Sequence, residues 1–268
     1  MRVTAPLLMV SSRPQPASHN GQVRKAVRMS VAGAVSCSVP MSGILSPMRR
    51  LFPHPTDHLT VEEYCGIPRQ RLPHRPHVML CMVASVDGAT VVDGNSRALG
   101  GPTDQQVLLG LRRHADVILV GASTVRADGY GAPRPGLRIA VVSRRCDFDF
   151  DQPLWASGQA VLVVPADAAI GELPVPVVRA GTGTVDLADA LTHFHDAHVV
   201  QAEGGPTING LLAAADLLDE VNLTVSPLLV GGDGPRVVHH APPVRHRLHL
   251  SEVCEADDGF LFTRYTRR

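Results

Sequence analysis

Aromatic residues are scarce in this chain, and it carries no net charge. One Trp, three Tyr and six Phe stand among 268 residues, so a hydrophobic core must be built from Val, Leu, Ile and Ala. The 25 basic residues balance the 25 acidic ones. Because nucleic-acid binding depends on an excess of positive charge, the composition gives no indication of a nucleic-acid partner.

Paired cysteines and long apolar runs are also missing. The sequence contains no Cys-x-x-Cys pair and no Cys/His cluster at zinc-binding spacing, so we expect no metal site. An odd, dispersed set of cysteines suits a reducing cytoplasm better than a disulfide framework. No apolar run approaches membrane-spanning length, so we expect no membrane association. The cysteines are Cys37, Cys65, Cys81, Cys146 and Cys254.

The pattern divides the chain into three sections. Residues 1–50 are rich in Pro, Ser, Arg and Val without sustained periodicity, which predicts a disordered extension. Two alternatives are a signal peptide, whose apolar region Ser and Gly would interrupt, and a start of translation at Met41 or Met48. In residues 51–76, Thr60 and Glu63 have the spacing of a capping box, which predicts a leader with a short helix. Residues 77–268 form the main domain.

In the main domain, short apolar runs alternate with helical patterns. Continuous apolar runs of this length are typical of strands buried on both faces, and their alternation with helices predicts a parallel sheet. The predicted strands cover residues 78–84, 116–121, 137–143, 160–164, 175–178 and 197–202. The predicted helices cover residues 103–113, 186–194 and a segment from 208 onward.

The C-terminal segment has a different pattern. Residues 220–225, 248–254 and 260–265 alternate between apolar and polar side chains, and Asp257-Asp258-Gly259 separates the last two runs. Alternation around a Gly-containing turn predicts an antiparallel hairpin. The predicted fold class is therefore α/β, with a mostly parallel central sheet flanked by helices and antiparallel strands at its C-terminal end.

The motif Glu203-Gly204-Gly205-Pro206-Thr207 follows the last predicted parallel strand and precedes a helix. Two glycines at such a turn let the backbone approach a ligand closely. The start of the helix offers unpaired N–H groups and a partial positive charge to a phosphate. The motif therefore predicts a pyrophosphate site with one carboxylate directed at the chemistry, and a tight turn with a solvated Glu is the alternative.

Three other segments accompany this motif: Ala84-Ser85-Val86-Asp87-Gly88, Gly94-Asn95-Ser96 and the run from Gly121 to Asp128. Most of them follow predicted strands, where open α/β sheets place ligand clefts. In this order the four segments resemble the reductase domain of the bifunctional riboflavin-biosynthesis deaminase-reductases. The resemblance covers residues 77–268, and the leader is similar to that of stand-alone actinobacterial-type members. The zinc signature of the deaminase domain is absent.

The resemblance implies a dihydrofolate-reductase-like fold, a homodimer, and NADPH as cofactor for reducing 5-amino-6-(5-phosphoribosylamino)uracil to its ribitylamino product. It also implies roles for single residues. Glu203 would face the substrate and take part in catalysis, and backbone N–H groups from Gly205 to Leu211 would hold the pyrophosphate. Arg112 is the candidate for the substrate phosphate. The implied substrate-binding residues are Ser96, Arg112 and Glu203, and the implied cofactor-binding residues are Thr124, Asp128, Ser143, Gly204, Gly205, Pro206, Thr207 and Ile208.

The sequence departs from the family pattern at two places. Ala98 stands where an aromatic residue often contacts the cofactor, and Tyr130 stands where a Pro usually follows the Asp128 motif. Arg134 has no clear counterpart. A reductase acting on a pterin such as dihydrofolate and an NADPH-binding protein without turnover therefore remain as alternatives. Arg144 and Arg145 are candidates for the 2′-phosphate of the cofactor or for a solvated turn.

Overall fold

The computed structural model describes residues 48–267. The interpretations of residues 1–47, including the disordered extension, the signal peptide and the start at Met41, lie outside the described residues. The first strand begins at Met48, so residues 48–50 belong to the folded domain and not to the predicted extension. Pairing with a distant C-terminal strand orders these three residues, and local periodicity carries no sign of that partner.

Eleven strands and six helices make up the described part of the chain. The strands are β1 (Met48–Phe52), β2 (Thr56–Leu59), β3 (His77–Ser85), β4 (Val117–Gly121), β5 (Arg138–Val142), β6 (Ala160–Val164), β7 (Val177–Arg179), β8 (Val199–Ala202), β9 (Glu220–Ser226), β10 (His249–Ala256) and β11 (Leu261–Thr266). The helices are α1 (Val61–Cys65), α2 (Pro102–Arg113), α3 (Ala122–Asp128), α4 (Pro153–Ala156), α5 (Leu187–Thr192) and α6 (Pro206–Ala214). No helix within residues 48–267 is long and apolar enough to cross a bilayer.

All eleven strands form one sheet in the order β2-β1-β10-β11-β9-β3-β8-β4-β5-β6-β7. The seven neighbouring strands β9, β3, β8, β4, β5, β6 and β7 are parallel to one another. Every residue of β4 is buried, as expected for a strand covered on both faces. The predicted parallel α/β sheet is confirmed, and the carboxyl ends of β3, β8 and β4 lie side by side.

Strand β9 joins the two kinds of pairing. It runs parallel to β3, with Leu80 opposite Val221, and antiparallel to β11, with Thr263 opposite Leu223. Strands β10 and β11 form the predicted antiparallel hairpin. The alternation seen in residues 220–225 appears as alternating burial, because one face of β9 is covered by protein and the other is half-open.

Helices cover both faces of the sheet. On one face, Val107 and Leu111 of α2 belong to a buried cluster with Met79 and Ile118. On the other face, Leu212 of α6 joins a second cluster that also includes α5. The core consists mainly of aliphatic side chains, as the scarcity of aromatic residues predicts.

Buried charges bind the leader to β9 and β11. The predicted capping box is present, with Thr60 accepting from the N–H of Glu63 at 3.2 Å. Arg69 of the leader pairs with the buried carboxylate of Glu220 at 2.8 Å. Arg264 of β11 is 2% exposed and donates to the carbonyl oxygen of Tyr64 in α1. Because each charge is paired, the leader is part of the folded domain.

Candidate active site at the carboxyl ends of the central strands

Glu203 lies directly after β8, at the carboxyl edge of the parallel sheet. Its N–H donates to the carbonyl oxygen of Leu119 in β4 at 3.0 Å, so the strand pairing itself fixes the backbone of Glu203. The Glu203 side chain is only 4% exposed. The carboxylate therefore occupies the predicted strand tip, but it lies inside the protein surface.

Four hydrogen-bond donors surround the Glu203 carboxylate. Arg112 donates from Nε to Oε1 at 2.7 Å and from Nη2 to Oε2 at 2.6 Å. The hydroxyl of Tyr130 donates to Oε2 at 2.6 Å, and Nε2 of Gln201 donates to Oε1 at 2.9 Å. A carboxylate has about four acceptor positions, so these donors fill all of them. We call Gln201, Glu203, Arg112 and Tyr130 the carboxylate cluster.

Arg112 and Tyr130 are held to each other as well as to Glu203. The Arg112 guanidinium carbon lies 5.2 Å from the centre of the Tyr130 ring. Burial alone would lower the pKa of Arg112, but the charge and hydrogen bonds of Glu203 outweigh it and raise that pKa. Burial, followed by the charge of Glu203, raises the pKa of Tyr130 well above its usual value. Arg112 is thus cationic and the phenol neutral at ordinary pH.

A glycine-lined turn adjoins the cluster. The N–H of Gly121 donates to the carbonyl oxygen of Gly204 at 2.7 Å, which joins the turns after β4 and β8. A Cβ on Gly204, whose φ is +85°, would lie 3.0 Å from Sδ of Met82. A Cβ on Gly205 would lie 3.2 Å from Oγ1 of Thr124. Glycine at these two positions therefore permits the close packing of the turn against Met82 and Thr124.

Helix α6 begins directly at this turn, with Pro206 in its first turn. Pro206 has no N–H, and the N–H groups of Ile208 and Asn209 already donate to the Gly205 carbonyl oxygen at 2.9 and 3.2 Å. The N–H of Thr207 remains in the first turn, at the positive end of the helix dipole. A segment after β9 fixes the helix start, because the N–H of His239 donates to the Pro206 carbonyl oxygen at 3.1 Å. The side-chain amide of Asn209 also donates to the Val237 carbonyl oxygen at 2.8 Å. These bonds fix the start of α6 beside the glycine turn.

Asp128 ends α3 near the carboxylate cluster. Its Oδ1 is buried without a hydrogen-bond partner among the described residues. Burial is the main cause that raises the Asp128 pKa, Arg97 opposes it, and the charge of Glu203 adds to it. Arg97 donates to the Asp128 carbonyl oxygen at 2.7 Å and so brings the loop of Ser96 to this edge. An acceptor without a partner here can receive a donor from a ligand.

The sequence matches a family model at residues 76–262, and that model describes the RibD C-terminal domain. The chain belongs to this family. A reductase of Methanothermobacter thermautotrophicus named for 2,5-diamino-6-ribosylamino-4(3H)-pyrimidinone 5′-phosphate is 30% identical over 218 residues, which is 72% of this chain and 98% of the relative. An enzyme of the same name from Archaeoglobus fulgidus is 24% identical over 216 residues, covering 70% and 97%.

The fold of RibD C-terminal domain proteins is also found by structural comparison. A pyrimidine reductase-like protein from Corynebacterium diphtheriae superposes with a TM-score of 0.66 at 23% identity, covering 78% of this chain and 98% of that one. The resemblance to the riboflavin-biosynthesis reductase domain and the dihydrofolate-reductase-like fold class are thus confirmed.

The structure brings most of the implied residues of this RibD C-terminal domain to one edge of the sheet. Glu203 and Arg112 form one centre, and Thr124 faces the glycine turn that includes Gly204 and Gly205. Thr207 lies in the first turn of α6, where its hydroxyl is 3.2 Å from Nδ1 of His240. Ile208 is buried and its N–H donates to the Gly205 carbonyl oxygen at 2.9 Å, so this geometry supports a structural role in place of the implied cofactor contact.

Ser143 follows β5, but its side chain already has a partner. Its Oγ accepts from the N–H of Cys146 at 3.0 Å, and the residue is 7% exposed. The hydroxyl therefore closes a turn, and this geometry supports a structural role in place of the implied cofactor contact. Arg144 and Arg145, which follow in that turn, are both exposed and free to reach a ligand at the edge of the sheet.

Asp87 has a structural role. Its carboxylate accepts from Ser85 Oγ at 2.6 Å and from the N–H groups of Val230 and Gly231 at 3.1 and 2.7 Å. These bonds, the one from Ser85 first, lower the pKa of Asp87 to about 2. The Ser-x-Asp-Gly motif thus joins the end of β3 to the loop after β9.

Two members of the carboxylate cluster were not predicted from the sequence. Gln201 stands two residues before Glu203 in the strand pattern, and this spacing places both side chains on one face, a signal that could have identified it. Tyr130 appeared only as a departure from the family pattern. Its contact with Glu203 depends on the path of the loop after α3, and no local pattern encodes that path.

Proposed function

We propose that this chain is a cytoplasmic NADPH-dependent reductase of a ribosylamino-pyrimidine phosphate in riboflavin biosynthesis. The observation that carries the proposal is the position of the glycine turn directly beside Glu203 and Arg112, because a cofactor site and a polar substrate site then share one edge. The names of the archaeal relatives, which the chain covers almost completely, support the same reaction. Their substrate carries an amino group where the uracil form carries an oxygen.

The residues at the turn fit a dinucleotide. Gly204 is buried and Gly205 half-buried, and an alanine at either position would bring a methyl group within 3.0 or 3.2 Å of neighbouring side chains, so the close approach of the two turns depends on glycine. The N–H of Thr207 at the start of α6 would donate to a pyrophosphate. Thr124 and Asp128 line the same edge. NADPH bound here supplies a hydride.

The carboxylate cluster would bind and orient the substrate. The open-chain imine form of the ribosylamino group accepts the hydride at C1′, and a proton completes the ribitylamine, so the protein needs no nucleophile. Arg112 is 26% exposed in its side chain and can donate to an oxygen of the substrate. Glu203 fixes the direction of that guanidinium. The buried position of the carboxylate keeps water from the bonds that hold Arg112.

The proposal is tested by NADPH oxidation at 340 nm. The uracil and the 2,5-diaminopyrimidinone forms of the phosphate are offered separately, with dihydrofolate as a third acceptor. Oxidation with either pyrimidine, and its loss when the phosphate is removed, is the expected result. Oxidation with dihydrofolate alone would replace the proposal by a pterin reductase. Tight NADPH binding without oxidation of any of the three would favour a binding protein.

We also propose that the protein is a homodimer through the sheet face formed by β9, β11 and β10. The residues on this face include two cross-strand rows, Leu223–Thr263–Val253 and Val225–Leu261–Glu255. Leu223 and Val225 are only half-buried, and Leu261 is 36% exposed. Aliphatic side chains that stay partly open to solvent on a sheet face are typical of a surface that a second copy covers.

A further inference from the structure

Tyr130 is the member of the carboxylate cluster that lies in the loop after α3. It follows Gly129, which ends α3 with a φ of +64° and so directs the chain back toward β8. The side chain then reaches the carboxylate cluster in two ways. Its hydroxyl bonds to Glu203, and its ring lies against the guanidinium of Arg112.

The donors already bonded to the Glu203 carboxylate determine which atoms of the carboxylate cluster can bond to a ligand. Tyr130 and Nη2 of Arg112 share Oε2 of Glu203, while Gln201 and Nε of Arg112 share Oε1. A ligand could bond to Glu203 only by displacing one of these donors. By contrast, Nη1 of Arg112 has no hydrogen-bond partner within residues 48–267, and this side chain is partly exposed.

We infer that Tyr130 is a positioning residue that fixes the Glu203–Arg112 pair so that Arg112 presents its free edge to the substrate. The phenol takes the fourth acceptor position of Glu203 and prevents a substrate donor from using it. Its ring restricts the guanidinium to one plane. The substrate group that meets the cluster is therefore a hydrogen-bond acceptor, such as a carbonyl, hydroxyl or phosphoryl oxygen. This inference rests on the proposed function.

The phenol acts as a neutral group throughout. Its pKa is raised, mainly by burial and then by the charge of Glu203, so it donates to the carboxylate without giving up its proton. Removal of the hydroxyl alone, in Tyr130→Phe, keeps the ring against Arg112 and removes one donor from Oε2. The change is small in volume, so an effect on the substrate reports the hydrogen bond and not the packing.

Steady-state kinetics of Tyr130→Phe test the inference. We expect the KM for the pyrimidine substrate to rise about tenfold, because the variant loses roughly one hydrogen bond to a charged group. The KM for NADPH should change by less than about twofold. Tyr265→Phe is the matched control, because Tyr265 lies in β11 and is not part of the carboxylate cluster. Equal changes in both KM values, or no change, would overturn the inference.

A double-mutant cycle separates action through Glu203 from a direct effect. On a Glu203→Gln background, Tyr130→Phe should raise the substrate KM by less than about twofold further, because the partner of the hydroxyl is already altered. Independent, multiplicative effects would contradict a positioning role. If Glu203→Gln does not fold, Arg112→Lys serves as the second background, since it removes the paired N–H geometry but keeps the charge.

Failure of the proposed function gives a different result. The wild-type protein would then oxidise no NADPH with either pyrimidine, whatever the variants do. The coupling between Tyr130 and Glu203 is in that case measured from melting temperatures of the two single variants and the double variant. Shifts that do not add support the pairing, and shifts that add overturn it.

Discussion

The Arg134 guanidinium donates to the carbonyl oxygen of Ala115 at 2.8 Å, and it also lies 3.3 Å from the carbonyl oxygens of Arg112 and Arg113. These carbonyls belong to the C-terminal end of α2 and the residue that precedes β4 by two positions. Arg134 therefore satisfies acceptors that a helix leaves unpaired at its end. Because the Arg134 guanidinium is occupied by these carbonyls, Arg112 is the arginine that we propose for the substrate site.

Arg134→Ala should lower the free energy of unfolding by about 1 kcal/mol, because one charged donor leaves several helix-end carbonyls. The KM for the pyrimidine should not change. Denaturant unfolding and steady-state kinetics measure the two effects. Arg113→Ala is the control, since its ion pair with Glu62 is more than half exposed on both sides and should contribute little. A rise in the substrate KM with Arg134→Ala would instead place this residue on the phosphate.

Glu203→Gln should reduce stability and substrate binding together. The amide would place an NH₂ group against donors from Arg112, Tyr130 or Gln201, and Arg112 would lose its paired charge. We expect the free energy of unfolding to fall by about 3 kcal/mol, as for other broken buried ion pairs. Calorimetry and turnover measure both effects, with the exposed Glu172→Gln as control. Full turnover in Glu203→Gln would reject the proposed role of Glu203 in orienting Arg112.

Gly204→Ala tests the cofactor turn. Alanine at a φ of +85° is strained by roughly 1–2 kcal/mol, and its Cβ would lie 3.0 Å from Sδ of Met82. We expect the dissociation constant for NADPH to rise by about tenfold, measured by isothermal titration calorimetry. Gly171→Ala is the matched control, because its Cβ would meet no atom within 4 Å. Equal NADPH affinity in both variants would place the pyrophosphate elsewhere.

Asp87→Asn should make the melting temperature depend less on pH between pH 4 and 2. The pKa of Asp87 is lowered from its usual 3.8 to about 2, mainly by Ser85 and then by the N–H groups of Gly231 and Val230. A lowered pKa in the folded state stabilises the protein above about pH 4, and this contribution disappears as the pH falls through about 2. The melting temperatures of wild type and Asp87→Asn should therefore converge between pH 4 and 2. A difference that stays constant would contradict the assignment.

Leu223→Lys tests the proposed dimer. A second copy would bury a charge placed at Leu223, between the aliphatic residues Val221 and Val225 of β9. We therefore expect the variant to sediment as a monomer. Leu109→Lys is the control, since Leu109 is 41% exposed on α2, at the other face of the sheet. Sedimentation velocity distinguishes the two. A monomeric wild-type protein would reject the interface, and a Leu223→Lys dimer would move it to another surface.

Several elements could be predicted from the sequence because their signals are local. The apolar run in β4 and the alternation in β9 follow directly from which faces are covered. The capping box at Thr60 depends on residues three positions apart. By contrast, β1 forms through pairing with β10, about 200 residues away, and β2 in turn pairs with β1. The short helix α3 is not among the predicted helices.

The sequence by itself determined the fold class, the family and the edge of the sheet that carries the site. Strand patterns and the motifs that follow the strands depend on residues that are close in the sequence, so they can be identified from the sequence alone. Tertiary structure alone decided the partners of each functional side chain. The meeting of Arg112, Tyr130 and Glu203 joins α2, the loop after α3 and β8, and such contacts follow from packing over distance and not from local spacing.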